Sequence, residues 1–419
     1  MAGKDRVAEA LKQLRRGRML VVTDDASRED EGDLILAAEK ATPAAVNFMA
    51  KHGRGLICAP LSGGRLDQLG LQGMVHAPTE SFGTAFSVSV DAKVGVSTGI
   101  SAHDRARTLR LLADPQAGAA DFVRPGHIFP LRARPGGVLE RPGHTEAAVD
   151  LCRLAGLKPA GVICEIMLAD GRMARGRSLQ AFARRHGLLQ LSIAELAAYR
   201  RRHEPLVRKQ LAVPIPTRWG DFSLHLYAGI LDGKEHLALV KGRVQGRRDV
   251  LVRLHSECLT GDLLGSRRCD CGEQLDEALR RIARAGSGIL LYQRDEGRGI
   301  GLTAKLRAYA LQDQGLDTVD ANLRLGFPAD ARDYGVAAQI LKDLGPASLR
   351  LLSNNPAKAA GLRGHGLTVA AVLPLEAAPN AHNERYLRTK RDRMGHRLSG
   401  LGGRGRSAGA WQELLEIAD

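Results

Sequence analysis

Apolar residues recur at helical spacing over residues 4–16, where Val7, Leu11 and Leu14 share one face and Gly17 closes the run. The apolar block 19–22 predicts a short buried strand ending in Thr23-Asp24-Asp25, and junctions of this kind commonly carry chemistry. Thr42-Pro43 opens a second helix that Gly53 closes, residues 56–61 carry a strand pattern, and Ser101 with Asp104 three residues on has the form of a capping box. A helix over 145–155, a strand over 162–168 and a helix capped by Ser192 with Glu195 complete a first half that ends near Tyr199. This alternation predicts an α/β or α+β domain.

The run from Arg200-Arg201-Arg202-His203-Glu204-Pro205 to Pro214-Ile215-Pro216 combines charge with three prolines, the chemistry of a linker. Beyond it, alternation at 222–227, 236–240 and 250–255 predicts an antiparallel sheet, and strand and helix patterns then alternate from Cys271 to Leu375. The expected architecture is α+β: two consecutive α/β-type domains with mixed sheets, 1–200 and 201–390, joined by a short basic, proline-containing linker. Residues 391–419 are expected to be a basic, glycine-rich, mobile tail; from Arg385 to Arg406 there are eight basic residues and one acid. The match Gly400-x-Gly402-x-x-Gly405 follows no strand pattern and is not read as a dinucleotide fingerprint, and the chain has no P-loop.

Composition narrows the partners. A length of 419 residues suits two domains, 44% apolar residues are enough to close a core in each, and a disordered chain is excluded. The net charge of +15 favours anionic partners: nucleic acid, a membrane surface or small phosphate esters. Aromatics at 4% leave few base-stacking platforms, which weighs against nucleic acid. No apolar run approaches the ~20 residues of a membrane span. The N-terminus lacks a secretory core and six cysteines are too few for a disulfide scaffold, so a reducing cytoplasm is the expected location.

Asp24-Asp25-Ala26-Ser27-Arg28-Glu29-Asp30-Glu31-Gly32-Asp33 holds six carboxylates and one arginine directly after a strand. If extended, Glu29, Glu31 and Asp33 fall on one face and suit a hard divalent cation, with Arg28 free for a substrate phosphate or carboxylate. A solvated acidic loop is the plainer reading of this segment alone. A second segment shifts the balance. Arg141-Pro142-Gly143-His144-Thr145 sits at an expected helix start, where backbone N–H groups and an arginine can hold phosphate and His144 can complete a metal shell.

Together with His52-Gly53-Arg54-Gly55-Leu56-Ile57-Cys58, Ser97-Thr98-Gly99-Ile100-Ser101-Ala102-His103-Asp104-Arg105, Gly126-His127-Ile128-Phe129-Pro130 and Ile163-Cys164-Glu165-Ile166-Met167, these segments resemble the signature blocks of 3,4-dihydroxy-2-butanone 4-phosphate synthase across residues 1–200. The resemblance implies conversion of ribulose 5-phosphate to formate and a four-carbon dihydroxybutanone phosphate with magnesium or manganese, the cation stabilising an enediolate. It implies Glu29 and His144 as metal ligands. Arg28, Glu29, Asp33, Arg141, Pro142, Gly143, His144, Thr145 and Glu165 would hold the substrate, His127 and Glu165 would act as acid/base groups, and Glu31 would assist. The family usually has asparagine where this chain has Asp30.

In the second half, Cys258-Leu259-Thr260-Gly261-Asp262 and Cys269-Asp270-Cys271-Gly272 place three cysteines close together, while Cys58, Cys152 and Cys164 lie in apolar runs as core residues. A structural zinc site normally shows four protein ligands, so three point to an open position for a catalytic water, with chance buried thiols as the alternative. Arg253-Leu254-His255-Ser256-Glu257 and Arg294-Asp295-Glu296-Gly297-Arg298-Gly299 add cations and flexible backbone suited to a polyphosphate.

Together with Asp317 to Asn322, Asp330 to Tyr334 and Ser353-Asn354-Asn355-Pro356, they resemble GTP cyclohydrolase II over about residues 210–390. The resemblance implies opening of the GTP imidazole ring with loss of C8 as formate and release of pyrophosphate, leaving a diaminopyrimidine ribosyl phosphate. It implies zinc on Cys258, Cys269 and Cys271, lowering the pKa of a bound water. GTP would be bound by Arg253, Leu254, His255, Ser256, Glu257, Gln274, Glu296, Gly297, Arg298, Thr318, Ser353 and Lys358. Asp330 would accept a proton and Tyr309 orient water. Arg332 would be the nucleophile toward the α-phosphorus, although a guanidinium is almost always protonated and an electrostatic clamp on the leaving group stays open. Ser353 stands where the family usually has threonine, and Ala304 where asparagine is common.

The whole chain thus reads as a fused two-enzyme protein supplying both precursors of riboflavin, implied by the resemblance to be a homodimer. Two rivals remain: one half silent and scaffolding the other, or a basic nucleic-acid-binding role carried by the tail.

Overall fold

Asp5 starts the first helix, Arg6–Arg15, by accepting the N–H groups of Val7 and Ala8, and the helix buries Val7, Leu11 and Leu14. This is the first element of a computed structural model that describes residues 5–25, 28–77, 79, 81–327 and 334–401. The chain divides into two compact units, Met1–His203 and Glu204–Asp419.

In the first unit, β1 (Leu20–Thr23), β2 (Gly32–Ala37), β3 (Cys58–Ser62), β4 (Val90–Ala92), β5 (Phe122–Ala133), β6 (Gly161–Glu165) and β7 (Leu189–Ser192) form one mixed sheet in the order β4-β5-β3-β6-β2-β1-β7. Every residue of β2 is buried. Leu34 and Leu36 enter one core while Ile35 and Ala37 enter the other, so this central strand reads as a continuous apolar run. Helices cover both faces, among them Ala102–Ala113, capped by Ser101, and His144–Leu154.

The second unit repeats the scheme with β8 (Val207–Thr217), β9 (Gly220–Gly229), β10 (Glu235–Lys241), β11 (Val250–Ser256), β12 (Gly288–Gln293), β13 (Leu349–Leu352) and β14 (Val369–Leu373), ordered β14-β13-β11-β12-β10-β9-β8. Two mixed sheets flanked by helices agree with the expected α+β class. Among the described residues no helix is long and apolar enough to cross a membrane.

Three sequence expectations change. Residues 250–255, expected in an antiparallel sheet, form β11, which pairs parallel with β12 and β13, because the helix Cys271–Arg284 carries the chain over between β11 and β12. The expected linker is regular structure except at residues 204–206. Arg200 to His203 end the helix Ile193–His203, where cations suit the carbonyl end, and residues 207–217 are the edge strand β8, a position that tolerates Pro214 and Pro216. Of the expected mobile tail, residues 391–394 complete the helix Glu384–Met394, and Arg397 and Ser399 hydrogen-bond to Asn354 and Glu376; the remainder from 402 onward lies outside the described residues.

Arg200 also joins the helices Ile193–His203 and His144–Leu154 in the first unit. Its guanidinium lies 2.7 Å from Asp150 and 2.8 Å from the Gly136 carbonyl, with Asp150 accepting from Val138 N–H at 2.8 Å. Burial pushes the Asp150 carboxyl up, and Arg200 is the main group opposing that shift. Removing one partner of a buried pair typically costs about 3–5 kcal/mol, so Arg200→Met should lower the urea midpoint of the first unit accordingly, and Arg200→Met with Asp150→Asn should recover much of the loss.

Candidate active sites

The turn between β1 and β2 is built on Asp24. Its carboxylate accepts the N–H groups of Glu29 (3.3 Å) and Glu31 (2.9 Å) and pairs with Arg28 at 2.8 Å, while Arg28 reaches Glu29 at 2.7 Å. Asp30 has φ of 55°, the left-handed region that asparagine and aspartate enter most readily, which accounts for the residue type there. Residues 28–31 therefore turn instead of extending, and Asp33, on β2, does not continue a single face from Glu29 and Glu31.

His144, the first residue of its helix, is buried with Nε2 3.2 Å from the Val22 carbonyl and Nδ1 3.9 Å from Glu29 and 3.8 Å from Asp33. One donor atom each from Asp24, Glu29 and His144 lies within 4.8 Å of the others. Burial lowers the His144 pKa to about 4, so the ring is neutral. A neutral ring donating Nε2–H to Val22 leaves the Nδ1 lone pair facing the carboxylates. Burial also raises the Glu29, Glu31 and Asp33 carboxyls, Asp33 most clearly, with Glu165 adding to the effect. Glu165 lies opposite Asp33 in the β2–β6 ladder and accepts the Leu56 N–H at 2.8 Å.

Arg141 is held by Glu146 (2.6 Å), Thr84 (3.0 Å) and the Phe82 carbonyl (3.0 Å) just before the helix N-terminus. Gly143 leaves the room this needs, since a Cβ there would lie 2.4 Å from Arg141 Nη1. Pro142 is exposed and Thr145 buried. His127 lies on β5 with Asp91 as its polar partner: Nδ1 is 2.6 Å from Asp91 Oδ2 and the His127 N–H donates to Oδ1. Asp24 is read from the sequence only as one of six carboxylates, and Asp91 is not singled out at all. A lone acid in the apolar run Val88-Ser89-Val90-Asp91-Ala92 was the available signal, because a buried carboxylate needs a partner.

In the second unit, Cys258 follows β11, and Cys271 opens the helix Cys271–Arg284. The three sulfurs of Cys258, Cys269 and Cys271 lie within 4.8 Å of one another, with no disulfide and a Cys258–Cys269 distance of 3.7 Å. Gly261 permits the approach, for a Cβ there would sit 2.8 Å from Cys269 Sγ. Hydrogen bonds from the other two thiols, with Lys305 Nζ at 3.1 Å, lower the Cys258 pKa; Cys269 is pushed up to about 11 and Cys271 is also raised. Asp262 braces the cluster by accepting from Cys258 N–H (2.9 Å), Tyr292 Oη (3.0 Å) and His255 Nε2 (3.0 Å).

The cysteines line a cleft together with Arg253, His255, Ser256, Glu257, Gln274, Glu296, Gly297, Arg298, Tyr309, Thr318, Ser353 and Lys358. Leu254 points the other way into the core, and only its carbonyl meets Lys358, at 2.7 Å. Lys305, Tyr386, Lys390 and His396 also line the cleft and were missed. Asp330 and Arg332 lie outside the described residues.

A carboxylate–imidazole cluster in one unit and a cysteine triad beside a cationic cleft in the other define a chain with two separate enzyme centres. The family model for 3,4-dihydroxy-2-butanone 4-phosphate synthase matches residues 8–199, and that for GTP cyclohydrolase II matches residues 208–374. The chain is 60% identical over 393 residues to riboflavin biosynthesis protein RibBA of Salinispora arenicola, covering 94% of each, and 57% identical over 408 residues to that of Mycobacterium marinum, covering 96% of each. Among solved structures, a two-domain 3,4-dihydroxy-2-butanone 4-phosphate synthase from A. baumannii, RibBX, aligns with a TM-score of 0.67 at 39% identity over 89% of this chain and 99% of that one. The chain belongs to the RibBA family of riboflavin biosynthesis proteins, bifunctional enzymes with 3,4-dihydroxy-2-butanone 4-phosphate synthase and GTP cyclohydrolase II activities.

Gly99 packs against the Asp91–His127 pair, and a Cβ there would meet Asp91 Oδ2 at 2.0 Å and His127 Nδ1 at 2.6 Å. Displacements of about 1 Å near reacting groups cost on the order of 100-fold. With His127 as the acid/base group that the resemblance implies, Gly99→Ala should lower the synthase kcat by about that factor while GTP cyclohydrolase activity of the same preparation stays at its normal value.

Proposed function

We propose that the first unit acts on ribulose 5-phosphate with a divalent cation, magnesium or manganese, on Glu29 and His144, and the second on GTP with zinc on Cys258, Cys269 and Cys271. The observation that carries the reading is the convergence of each donor set within 4.8 Å. Both sets fit their metals: buried carboxylates and a neutral imidazole suit a hard cation, and three thiols beside an open cleft suit a three-ligand zinc site.

In the first unit, Arg141 and the free N–H groups at the start of helix His144–Leu154 bind the substrate phosphate, with Arg28 and Asp33 holding the rest of the sugar. The bound cation supplies stabilisation of negative charge on adjacent sugar oxygens. His127 moves protons at Nε2, because Nδ1 is committed to Asp91, which fixes the ring's tautomer and orientation. Glu165 serves as the second acid/base group and Glu31 assists from the turn.

In the second unit, Arg253, Arg298 and Lys358 hold the triphosphate, while Ser256, Glu257, Gln274 and Thr318 bind elsewhere on the nucleotide. Bound zinc supplies the acidity that makes water nucleophilic near neutral pH. Tyr309, whose Oη lies 3.4 Å from Thr260 Oγ1, orients that water. Asp330 as proton acceptor and Arg332 toward the α-phosphorus complete the proposal by resemblance. The chain is proposed to work as a homodimer. The basic charge behind a nucleic-acid role is partly engaged within the fold, as in the pairs Lys390–Asp270 and Arg388–Glu384.

Cys269→Ser should abolish GTP ring opening and spare dihydroxybutanone phosphate formation, and Glu29→Gln should do the reverse, each read as formate release from one substrate; loss of both activities in either variant contradicts independent sites. Cation binding should tighten as pH rises above the ordinary carboxylate range. Burial raises the Glu29 and Asp33 carboxyls, so at lower pH protons held there compete with the metal. Calorimetric titration with magnesium in buffers of different ionisation enthalpy should show proton release, and pH-independent affinity would contradict this ligand set.

A further inference from the structure

The match to GTP cyclohydrolase II ends at residue 374, yet the chain returns to the nucleotide cleft from Glu384 to Leu401. Helix Glu384–Met394 buries Leu387, Thr389 and Lys390, so one face is packed despite the basic composition. From this segment four tethers reach four separate element ends.

Lys390 Nζ lies 2.8 Å from Asp270, the residue between Cys269 and Cys271, and the pair is buried. The other Asp270 oxygen accepts from Gln274 Nε2 at 2.6 Å, and Gln274 Oε1 accepts from Arg253. Arg298 donates to Met394 Sδ at 3.2 Å and lies over the Tyr386 ring. Arg393 pairs with Asp317, and with Asp320 at 2.9 Å, on either side of Thr318. The Arg397 N–H donates to the Asn354 carbonyl at 2.9 Å, beside Ser353. Each segment so tethered carries at least one residue assigned above to GTP: Gln274 in the first turns of helix Cys271–Arg284, Arg298, Thr318 at the start of helix Thr318–Arg324, or Ser353 after β13.

We propose that residues 384–401 form a clasp that sets the spacing of these four nucleotide-binding segments, with Lys390 as its central positioning residue. The charge of Lys390 is committed to Asp270, so it acts on GTP through Asp270 and Gln274. Segments at four different strand and helix ends otherwise lose freedom when the nucleotide binds; holding them beforehand removes that cost and tightens binding. The inference rests on the assignment of this cleft to GTP.

The test uses the full chain. Lys390→Met should raise the KM for GTP by about tenfold or more, a factor that corresponds to about 1.4 kcal/mol, with a smaller change in kcat, unchanged zinc content and unchanged synthase activity. Lys390→Arg, which keeps the pair with Asp270, should restore most of the affinity. Because Lys390→Met leaves Asp270 buried without its cation, Arg393→Ala at the exposed end of the segment is the second variant, and it too should raise KM. Unchanged KM in both variants, or a loss confined to zinc content or Tm, would overturn the clasp. If Cys269→Ser still opens GTP, the cleft assignment itself fails; if Cys269→Ser is inactive while both clasp variants keep their KM, only the clasp fails.

Discussion

Anionic donors gathered within a few ångströms repel one another once ionised, and much of each unit is arranged around that repulsion. In the first unit Asp24, Glu29 and His144 converge where β1 ends, and the cluster persists because Arg28 bridges two of the carboxylates while Asp24 also satisfies two backbone N–H groups. In the second, three sulfurs converge after β11, with Lys305 and the other thiols stabilising the one at Cys258. Both clusters sit at strand ends whose preceding residues are buried on both faces of a sheet. The sheets supply the rigidity that holds like groups together, and the raised Glu29, Glu31 and Asp33 carboxyls record first the cost of burial and then that of neighbouring charge.

The fold and the two chemistries were legible where the signal was local. The carboxylate run 24–33 stood out by density, and Cys258, Cys269 and Cys271 by spacing. Helix starts at Ser101 and Ser192 were legible because a cap and its partner lie three residues apart; Ser192 and Glu195 exchange both capping hydrogen bonds. The direction of β11 was not legible, since alternation is the same in parallel and antiparallel strands and only the crossover helix decides between them.

What stayed hidden depends on pairs distant in sequence. Asp24 looks like its neighbours until the turn shows which carboxylate collects the backbone N–H groups. Asp91 meets His127 across the β4–β5 pairing, 36 residues away. The C-terminal helix misled for a related reason. Its composition reads as a solvated tail because the acids that answer its basic residues, Asp270, Asp317 and Asp320, lie far upstream.

That helix has a consequence for the order in which the molecule is completed. Synthesis proceeds from the N-terminus and domains generally fold as units during it, so the whole of the first unit is available to fold before the helix Glu384–Met394 exists. The contact from Lys390 to Asp270 spans 120 residues, and contacts of such separation form slowly because a long loop must close first. On the proposed clasp, the GTP centre takes its final arrangement later than the synthase centre, when the helix Glu384–Met394 docks.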